Sequence, residues 1–309
     1  MKKYLTLIMV SAFVVQTCLC QTTDDEKYEQ ASKYYEAKDY DKATPILFEL
    51  AKKNNSKALL QIGFSNERGY GVKQDMEKCL EYTRKSAEMG EAQAMNNLGW
   101  YYQKGMCVDI DLDKAINYYE QASEKGNTQA MVNLGWLYLD NEDYYKDLHP
   151  EHSRSYIEKQ AEKWFRLAAK QDNPYGIYGL AWYYYTLNLG GIDIWDGIKK
   201  STPLFEKAAK RGSGNSQLFV GSAEMREYKY ESALNWFKQA EKNNAGEIDG
   251  VSPSVGQIVC KFFIDNPQYK YYWNNDCCVI YNYIYSEDDY YVGATLKDKF
   301  GFIKLSKLG

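Results

Sequence analysis

The chain has 309 residues, of which 45 % are apolar and 26 % charged, so it can bury a substantial core and is not of a disordered class. Its formal net charge is −4, which argues against nucleic acid as the main partner, because phosphate binding requires clustered lysine and arginine. Aromatic residues are abundant, with 30 tyrosines, 7 tryptophans and 11 phenylalanines.

Residues 1–20 have the pattern of a secretory signal peptide and are predicted to lie outside the fold. A short basic start precedes an apolar run over residues 4–15, which is shorter than the roughly 20 residues that a membrane-spanning helix needs. Cys18 and Cys20 place small side chains at the two positions that a signal peptidase inspects, so the mature chain would begin at Gln21. We expect an exported protein, periplasmic or secreted. A lipid-anchored form acylated at Cys18 or Cys20 is the less favoured alternative.

Residues 21–244 repeat a pattern of two short helices. The motif Leu98-Gly99-Trp100 with Tyr102 returns 36 residues later as Leu134-Gly135-Trp136 with Tyr138. Two series of small residues accompany it, one on the first helix and one on the second helix of each pair. The first series is Gly63, Gly99, Gly135, Ala181 and Gly221, and the second is Ala43, Cys79, Ala115, Ala161, Ser201 and Ala233. A period of about 30–50 residues indicates a repeat array.

The spacing predicts six helix pairs in chain order. The second helices share an aromatic residue four positions after the small one, which fills the space between pairs: Tyr119, Phe165, Phe205 and Phe237. A turn rich in glycine joins the helices of the second and third pairs, and Asp75 and Asp111 follow it as N-caps. The fourth pair is stretched by an insertion from Asp140 to about Tyr156. The fold class is therefore mainly α, a right-handed α/α solenoid of about six helix pairs.

The helical period stops near residue 245, and residues 245–256 are predicted to be a linker. Residues 257–309 contain short runs of Val, Ile, Tyr and Phe between turn-forming residues, a pattern that favours antiparallel strands: Gln257–Ile264, Cys277–Tyr285, Tyr290–Leu296 and Phe300–Leu305. We predict a small β-rich C-terminal module. The alternative is a hairpin that caps the last helix pair.

The middle units resemble Sel-1-like repeats, a branch of the tetratricopeptide superfamily. The third unit matches the family's pattern most fully, at Ala94, Leu98-Gly99, Tyr102, Gly105, Val108, Asp111, Ala115, Tyr118-Tyr119, Ala122 and Gly126. The preceding unit matches at Gly63, Gly69, Gly71, Val72, Asp75 and Gly90. The resemblance covers about residues 26–244. It implies an adaptor whose superhelix presents a groove lined by the first helix of each pair.

On that geometry, the residue after the small one faces the groove. It is aromatic in four units, at Phe64, Trp100, Trp136 and Trp182, and we expect Asn96, Gln103, Tyr178 and Tyr185 to lie near it. Exposed rings with polar neighbours suit a peptide or a glycan, because flat rings supply a large contact area at a low entropic cost. The alternative is that each ring packs against the next unit. Contiguous accessible rings favour binding, and buried rings favour packing.

The remaining residues with reactive chemistry do not form a site by sequence. His149 and His152 have carboxylates nearby, but Pro150 lies between them, and two ligands do not make a metal site, so we expect a solvated loop. No catalytic motif, metal site or cofactor site is predicted. Among the cysteines, Cys79 occupies a small-residue position of the repeat and is interpreted as buried filler, and adjacent Cys277 and Cys278 are interpreted as structural.

These patterns predict an exported, non-catalytic adaptor that binds a protein or peptide through the concave face of a helical repeat array. One alternative is a glycan-binding or carbohydrate-active envelope protein that uses the same aromatic groove. Another is a structural protein that organises an envelope assembly through its C-terminal segment.

Overall fold

The computed structural model describes residues 24–141, 147, 149–189, 194–247, 251–265 and 267. The described part is mainly α-helical and contains no β-strand. In chain order, the helices are α1 (24–36), α2 (Tyr40–Lys52), α3 (Ser56–Arg68), α4 (Met76–Glu88), α5 (Ala92–Lys104), α6 (Leu112–Glu124), α7 (Thr128–Asp140), α8 (Arg154–Lys170), α9 (Pro174–Leu189), α10 (Ile194–Lys210), α11 (Gly214–Arg226), α12 (Tyr230–Lys242) and α13 (Pro253–Asp265). The first twelve form the six predicted pairs.

The chain divides into two compact units, residues 1–167 and 168–309. Within each unit a helix packs mainly on the helices next to it in sequence. The observed packing partners are α3 with α4, α5 with α6, α9 with α10, α11 with α12, and, between successive pairs, α2 with α3, α4 with α5, α6 with α7 and α10 with α11. Contacts restricted to neighbours are the property that defines a repeat array.

Side-chain caps mark where four helices of the first unit begin, namely α3, α4, α6 and α7. The Asp75 and Asp111 carboxylates accept hydrogen bonds from the backbone N–H groups of Lys78 (3.0 Å) and Lys114 (2.9 Å), as the sequence predicted. The same arrangement recurs at the first helices, where Asn55 caps α3 and an equivalent asparagine caps α7. Each cap satisfies a backbone donor that the helix itself leaves without a partner.

Glycines end the first helices of the second and third pairs. Gly69 and Gly105 follow α3 and α5 with φ of +74° and +68°, a left-handed conformation that a side chain would strain. The chain then turns sharply and reaches the aspartate cap of the next helix. The turn therefore places the two helices of a pair side by side.

In the third and fourth pairs, a buried aromatic ring packs against a glycine of the partner helix. Tyr119 of α6 and Phe165 of α8 are fully buried. A Cβ atom added to Gly99 would lie 2.6 Å from the Tyr119 ring, and one added to Gly135 would lie 2.5 Å from the Phe165 ring. Each glycine therefore makes the room that the ring of the partner helix occupies.

The second unit uses the same interlock with two variations. Ala181 takes the place of glycine and shares a buried cluster with Phe205 and Ala209. In the last pair, Phe237 is buried against Gly221 of α11 and also against Gly256 of α13, where an added Cβ would lie 2.5 Å from the ring. Phe237 thus joins the final helix to the last pair.

The predicted strand at Gln257–Ile264 is wrong, because these residues belong to α13. This helix begins inside the predicted linker and buries Val259 and Cys260 against the last pair, with Val251 just before it. A short run of β-branched and aromatic residues has no period that separates a strand from a buried helix. In the structure, the helix α13 packs on the apolar face of α12 and shields it from solvent. The other three predicted strands and the signal peptide lie outside the described residues.

None of the described helices has both the length and the apolar character that crossing a lipid bilayer requires.

We expect Gly135→Ala to lower the free energy of unfolding by about 1–3 kcal/mol, because the new methyl group overlaps the buried Phe165 ring. Gly221→Ala is the matched control, since its added Cβ would lie 3.2 Å from the nearest ring atom and needs only a small shift. Urea denaturation of both variants measures the difference. An equal loss at the two glycines would contradict the interlock.

Candidate binding surface

The four predicted groove aromatics each follow the small residue of a first helix. Gly63, Gly99 and Gly135 face the partner helix of their own pair, so the next residue points about 100° away around the helix. Phe64 and Trp100 are 37 % and 39 % exposed, whereas Trp136 and Trp182 are half-buried. Two of these rings are therefore accessible, and the other two also pack within their own units.

Phe64 belongs to an aromatic cluster at the start of the first unit. Its ring lies 6.2 Å from Tyr70 in an edge-on arrangement, and Tyr70 stacks on Tyr40 at 4.9 Å. The Arg68 guanidinium lies 5.6 Å from the Phe64 ring centroid, within the range of a cation–π contact. This end of the unit offers both rings and positive charge.

Trp100 and Trp136 differ in how firmly their rings are held. The Trp136 ring meets the buried Phe165 edge-on at a centroid distance of 5.1 Å. The Trp100 ring lies 5.8 Å from that of Tyr101, which is buried. Trp136 therefore has a fixed orientation, and Trp100 presents more of its surface to solvent.

Two of the predicted polar residues serve partners inside the fold. Asn96 is only 5 % exposed, and its side-chain oxygen accepts a hydrogen bond from Asn133 at 2.9 Å. Gln103 accepts a hydrogen bond from the hydroxyl of Tyr119 at 2.8 Å. Asn96 therefore helps to position Asn133, and Gln103 helps to position Tyr119.

Sequence reasoning did not single out a set of amide side chains on the same helix face as the tryptophans. We call this surface the amide–aromatic face, and its members are Gln93, Asn97 and Trp100 on α5 and Gln129, Asn133 and Trp136 on α7. Positions i, i+4 and i+7 share one side of a helix. The signal was present in the sequence, since Gln-x-x-x-Asn-x-x-Trp occurs twice, 36 residues apart.

Hydrogen bonds order these amides along and between the helices. Gln93 donates to Asn97 (2.9 Å), Gln129 donates to Asn133 (3.0 Å), and Asn133 reaches across to Asn96. Asn127, the cap of α7, donates to Gln93 at 3.1 Å. Within the described part of the chain, the amide nitrogen of Asn97 donates to no group, so it remains available to a ligand.

In the second unit, the three predicted groove residues form one packed cluster. Trp182 lies 6.2 Å from Tyr178 and 5.8 Å from Tyr185, and all three are half-buried. Tyr178 and Tyr185 also contact the buried Phe205 ring at 6.0 and 6.2 Å. Burial raises the pKa of Tyr178 to about 12. These rings therefore contribute to the core of their unit as well as to its surface.

Two cysteines of the described residues, Cys79 and Cys260, are buried, and Cys79 is buried as predicted. Its sulfur lies 3.2 Å from the Tyr101 hydroxyl, which also donates to Glu67 at 3.3 Å. Burial raises the pKa of the Cys79 thiol, and it raises that of Cys260 to about 12. A buried, protonated thiol is inert, whereas Cys107 is exposed. Cys277 and Cys278 lie outside the described residues.

His149, Glu151 and His152 are the described residues whose donor atoms come close enough together to share a metal ion. The Asp113 carboxylate, which accepts a hydrogen bond from the His149 ring, raises the pKa of His149, because it favours the imidazolium. This cluster lies in the insertion before α8 and shares no residue with the amide–aromatic face.

The comparisons with known proteins agree on a repeat fold. A family model described as Sel1 repeat matches residues 56–91, 92–127, 128–149, 154–173 and 221–244. No curated protein matches the chain.

Two solved structures are similar in fold. A Sel1 repeat protein from Oxalobacter formigenes is 24 % identical, with a TM-score of 0.55 over 70 % of this chain and 82 % of that one. A protective antigen of uropathogenic Escherichia coli with an SLR fold is 23 % identical, with a TM-score of 0.57 over 79 % of this chain and 49 % of that one.

We expect alkylation with iodoacetamide at pH 8 to label Cys107 in the native protein and to leave Cys79 and Cys260 unlabelled. Their raised pKa values keep both buried thiols protonated at this pH, and the thiolate is the reacting form. Peptide mass spectrometry locates the label, and labelling of all three in urea is the positive control. Native labelling of Cys79 as fast as Cys107 would contradict the buried, structural interpretation.

Proposed function

The chain is a Sel1-like repeat protein of the tetratricopeptide superfamily, and from this premise we propose that it is an exported, non-catalytic adaptor that binds a protein or peptide. The ligand lies along the first helices of the repeat, on the side that would be the concave face of the array. Repeat arrays bind partners over extended surfaces and need no reaction centre.

The observation that carries the proposal is the amide–aromatic face of the first unit. Two tryptophans alternate there with hydrogen-bonded amide side chains on neighbouring first helices. An amide has both a donor and an acceptor, so it pairs with the N–H and C=O groups of an extended peptide. A tryptophan beside it covers apolar side chains of the same peptide at a low entropic cost.

The arrangement of the amides favours a peptide over a glycan. Asn133 is held by Gln129 on one side and by Asn96 on the other, so its orientation is fixed before a ligand arrives. A preorganised donor loses little entropy on binding. Trp136 is half-buried and meets Phe165 edge-on, which leaves less of its flat face open to stack on a sugar ring.

The burial of Cys79 and Cys260 supports the non-catalytic part of the proposal, because a buried thiol is not open to a substrate. The Cys79 sulfur also contacts the Tyr101 hydroxyl, which donates a hydrogen bond to Glu67. Export follows from residues 1–20 alone, whose pattern is that of a secretory signal.

We expect the double variant Trp100→Ala/Trp136→Ala to capture about tenfold less partner from the native envelope, because aromatic anchors dominate binding energy. Asn97→Ala removes a side chain that supports no buried group, and it should weaken capture without any change in stability. Circular dichroism and thermal melting establish that each variant is folded.

The matched control for these variants is Ile110→Ala, which truncates a side chain of 56 % exposure in a turn of the same unit. It should capture as much partner as the original chain. Undiminished capture by the folded double variant would refute the assigned face. Competition by a soluble oligosaccharide, rather than by partner-derived peptides, would favour the glycan alternative instead.

We expect the secreted protein to begin at Gln21, because cleavage after Cys20 fits the small-residue rule of the signal peptidase. N-terminal sequencing of protein recovered from a fractionated native host measures this. A mature chain that retains Met1 in the cytosolic fraction would contradict export. An acylated cysteine at the N-terminus would establish the lipid-anchored alternative.

A further inference from the structure

The insertion before α8 contains both histidines of the chain, His149 and His152. The sequence predicted no metal there, since two ligands separated by Pro150 do not make a site. The structure adds a third donor, because Glu151 lies between them in the fold as well as in sequence. One donor atom from each of the three residues lies within 4.8 Å of the other two.

The individual distances fit a small ion. The Glu151 Oε1 atom is 3.4 Å from His149 Nδ1 and 3.9 Å from His152 Nε2. A tetrahedral ion with bonds of about 2.0–2.1 Å holds its ligand atoms about 3.3–3.5 Å apart. The first distance falls in this range, and the second is slightly longer, so the Glu151 carboxylate and the His152 ring would have to move closer together when an ion binds.

Asp113 of α6 orients the His149 ring. Its Oδ1 atom lies 2.8 Å from His149 Nε2, on the opposite side of the ring from Glu151. The tautomer that donates from Nε2 to this carboxylate has a lone pair at Nδ1. That lone pair and the Glu151 oxygen then face each other, an arrangement that needs a proton or a cation between them. A carboxylate behind a histidine is the usual outer partner of a metal ligand.

The second ring is also held in place. His152 stacks on Tyr156 with a centroid distance of 4.0 Å and an angle of 17°, and it lies 5.4 Å from the His149 ring. Both histidine side chains are about a quarter exposed, and Glu151 is more open. A bound ion would therefore have three protein ligands and a side open to water.

We propose that His149, Glu151 and His152 bind one Zn²⁺ ion, with Asp113 as a positioning residue. Two imidazoles and one carboxylate favour a borderline ion over Mg²⁺ or Ca²⁺, which prefer oxygen ligands only. Because Asp113 belongs to α6, its hydrogen bond with His149 ties the insertion to the third helix pair. The site is independent of the amide–aromatic face.

Calorimetric titration of ZnCl₂ into the full chain without a polyhistidine tag, with accessible thiols alkylated, tests the site. We expect one Zn²⁺ per chain and no heat signal with MgCl₂. The double variant His149→Ala/His152→Ala should lose the signal, and Glu151→Gln should weaken it. Glu124→Gln, an exposed carboxylate on the same helix as Asp113, is the matched control and should bind as the original chain does.

Asp113→Asn separates positioning from ligation. We expect its affinity for Zn²⁺ to fall about tenfold while the visible spectrum of the Co²⁺ complex keeps its shape, because the three ligands are unchanged. His149→Ala should alter that spectrum. Unchanged Zn²⁺ binding by the folded double-histidine variant, or equal binding of Mg²⁺, would overturn the proposal and leave His149 as a hydrogen-bonding tether only.

Discussion

The fit of an aromatic ring into the space left by a missing side chain controls this fold. Gly99 and Gly135 lack the methyl group that would collide with Tyr119 and Phe165, so the two helices of a pair approach closely. Protein interiors are close-packed, and a ring of this size leaves no room for a second atom at that point. The glycine position and the ring position are therefore coupled, which is why both recur with the same period.

This interlock also determines what the surface presents. Because the glycine must face its partner helix, the residue after it is turned away from the pair, and in the first unit that residue is Phe64, Trp100 or Trp136. The positions three and seven residues before each tryptophan share its face and contain asparagine and glutamine. The proposed binding face is thus a geometric consequence of the packing inside each pair.

The insertion follows from the same local packing. A repeat that contacts only its neighbours tolerates extra residues between its helices, because no distant segment has to move. Loops of this kind lie at the surface and often carry function. Here the inserted residues bring two histidines and a glutamate beside Asp113, which is the arrangement behind the proposed zinc site.

The last helix, α13, could not be predicted from the repeat pattern. Phe237 is packed on one side by Gly221, as the repeat requires, and on another by Gly256, which no repeat position predicts. The run around Val259 and Cys260 satisfies a strand pattern and a helix pattern equally well over so few residues. The structure shows that the run forms a helix, which packs its apolar side on α12. The apolar surface that it covers is formed only when α11 and α12 have packed together.

The sequence by itself determined the six helix pairs, the Asp75 and Asp111 caps and the glycine turns of the second and third pairs, because these depend on interactions within one or two turns of the chain. The prediction that the aromatic rings fill the space between pairs is wrong for Tyr119 and Phe165, because these rings pack inside their own pairs against Gly99 and Gly135. The tertiary structure alone decided which rings are accessible, that Asn96 is buried beneath Asn133, and that Glu151 joins the two histidines. The exposure of a ring and the meeting of distant side chains depend on neighbours that packing brings together. A local sequence pattern does not identify those neighbours.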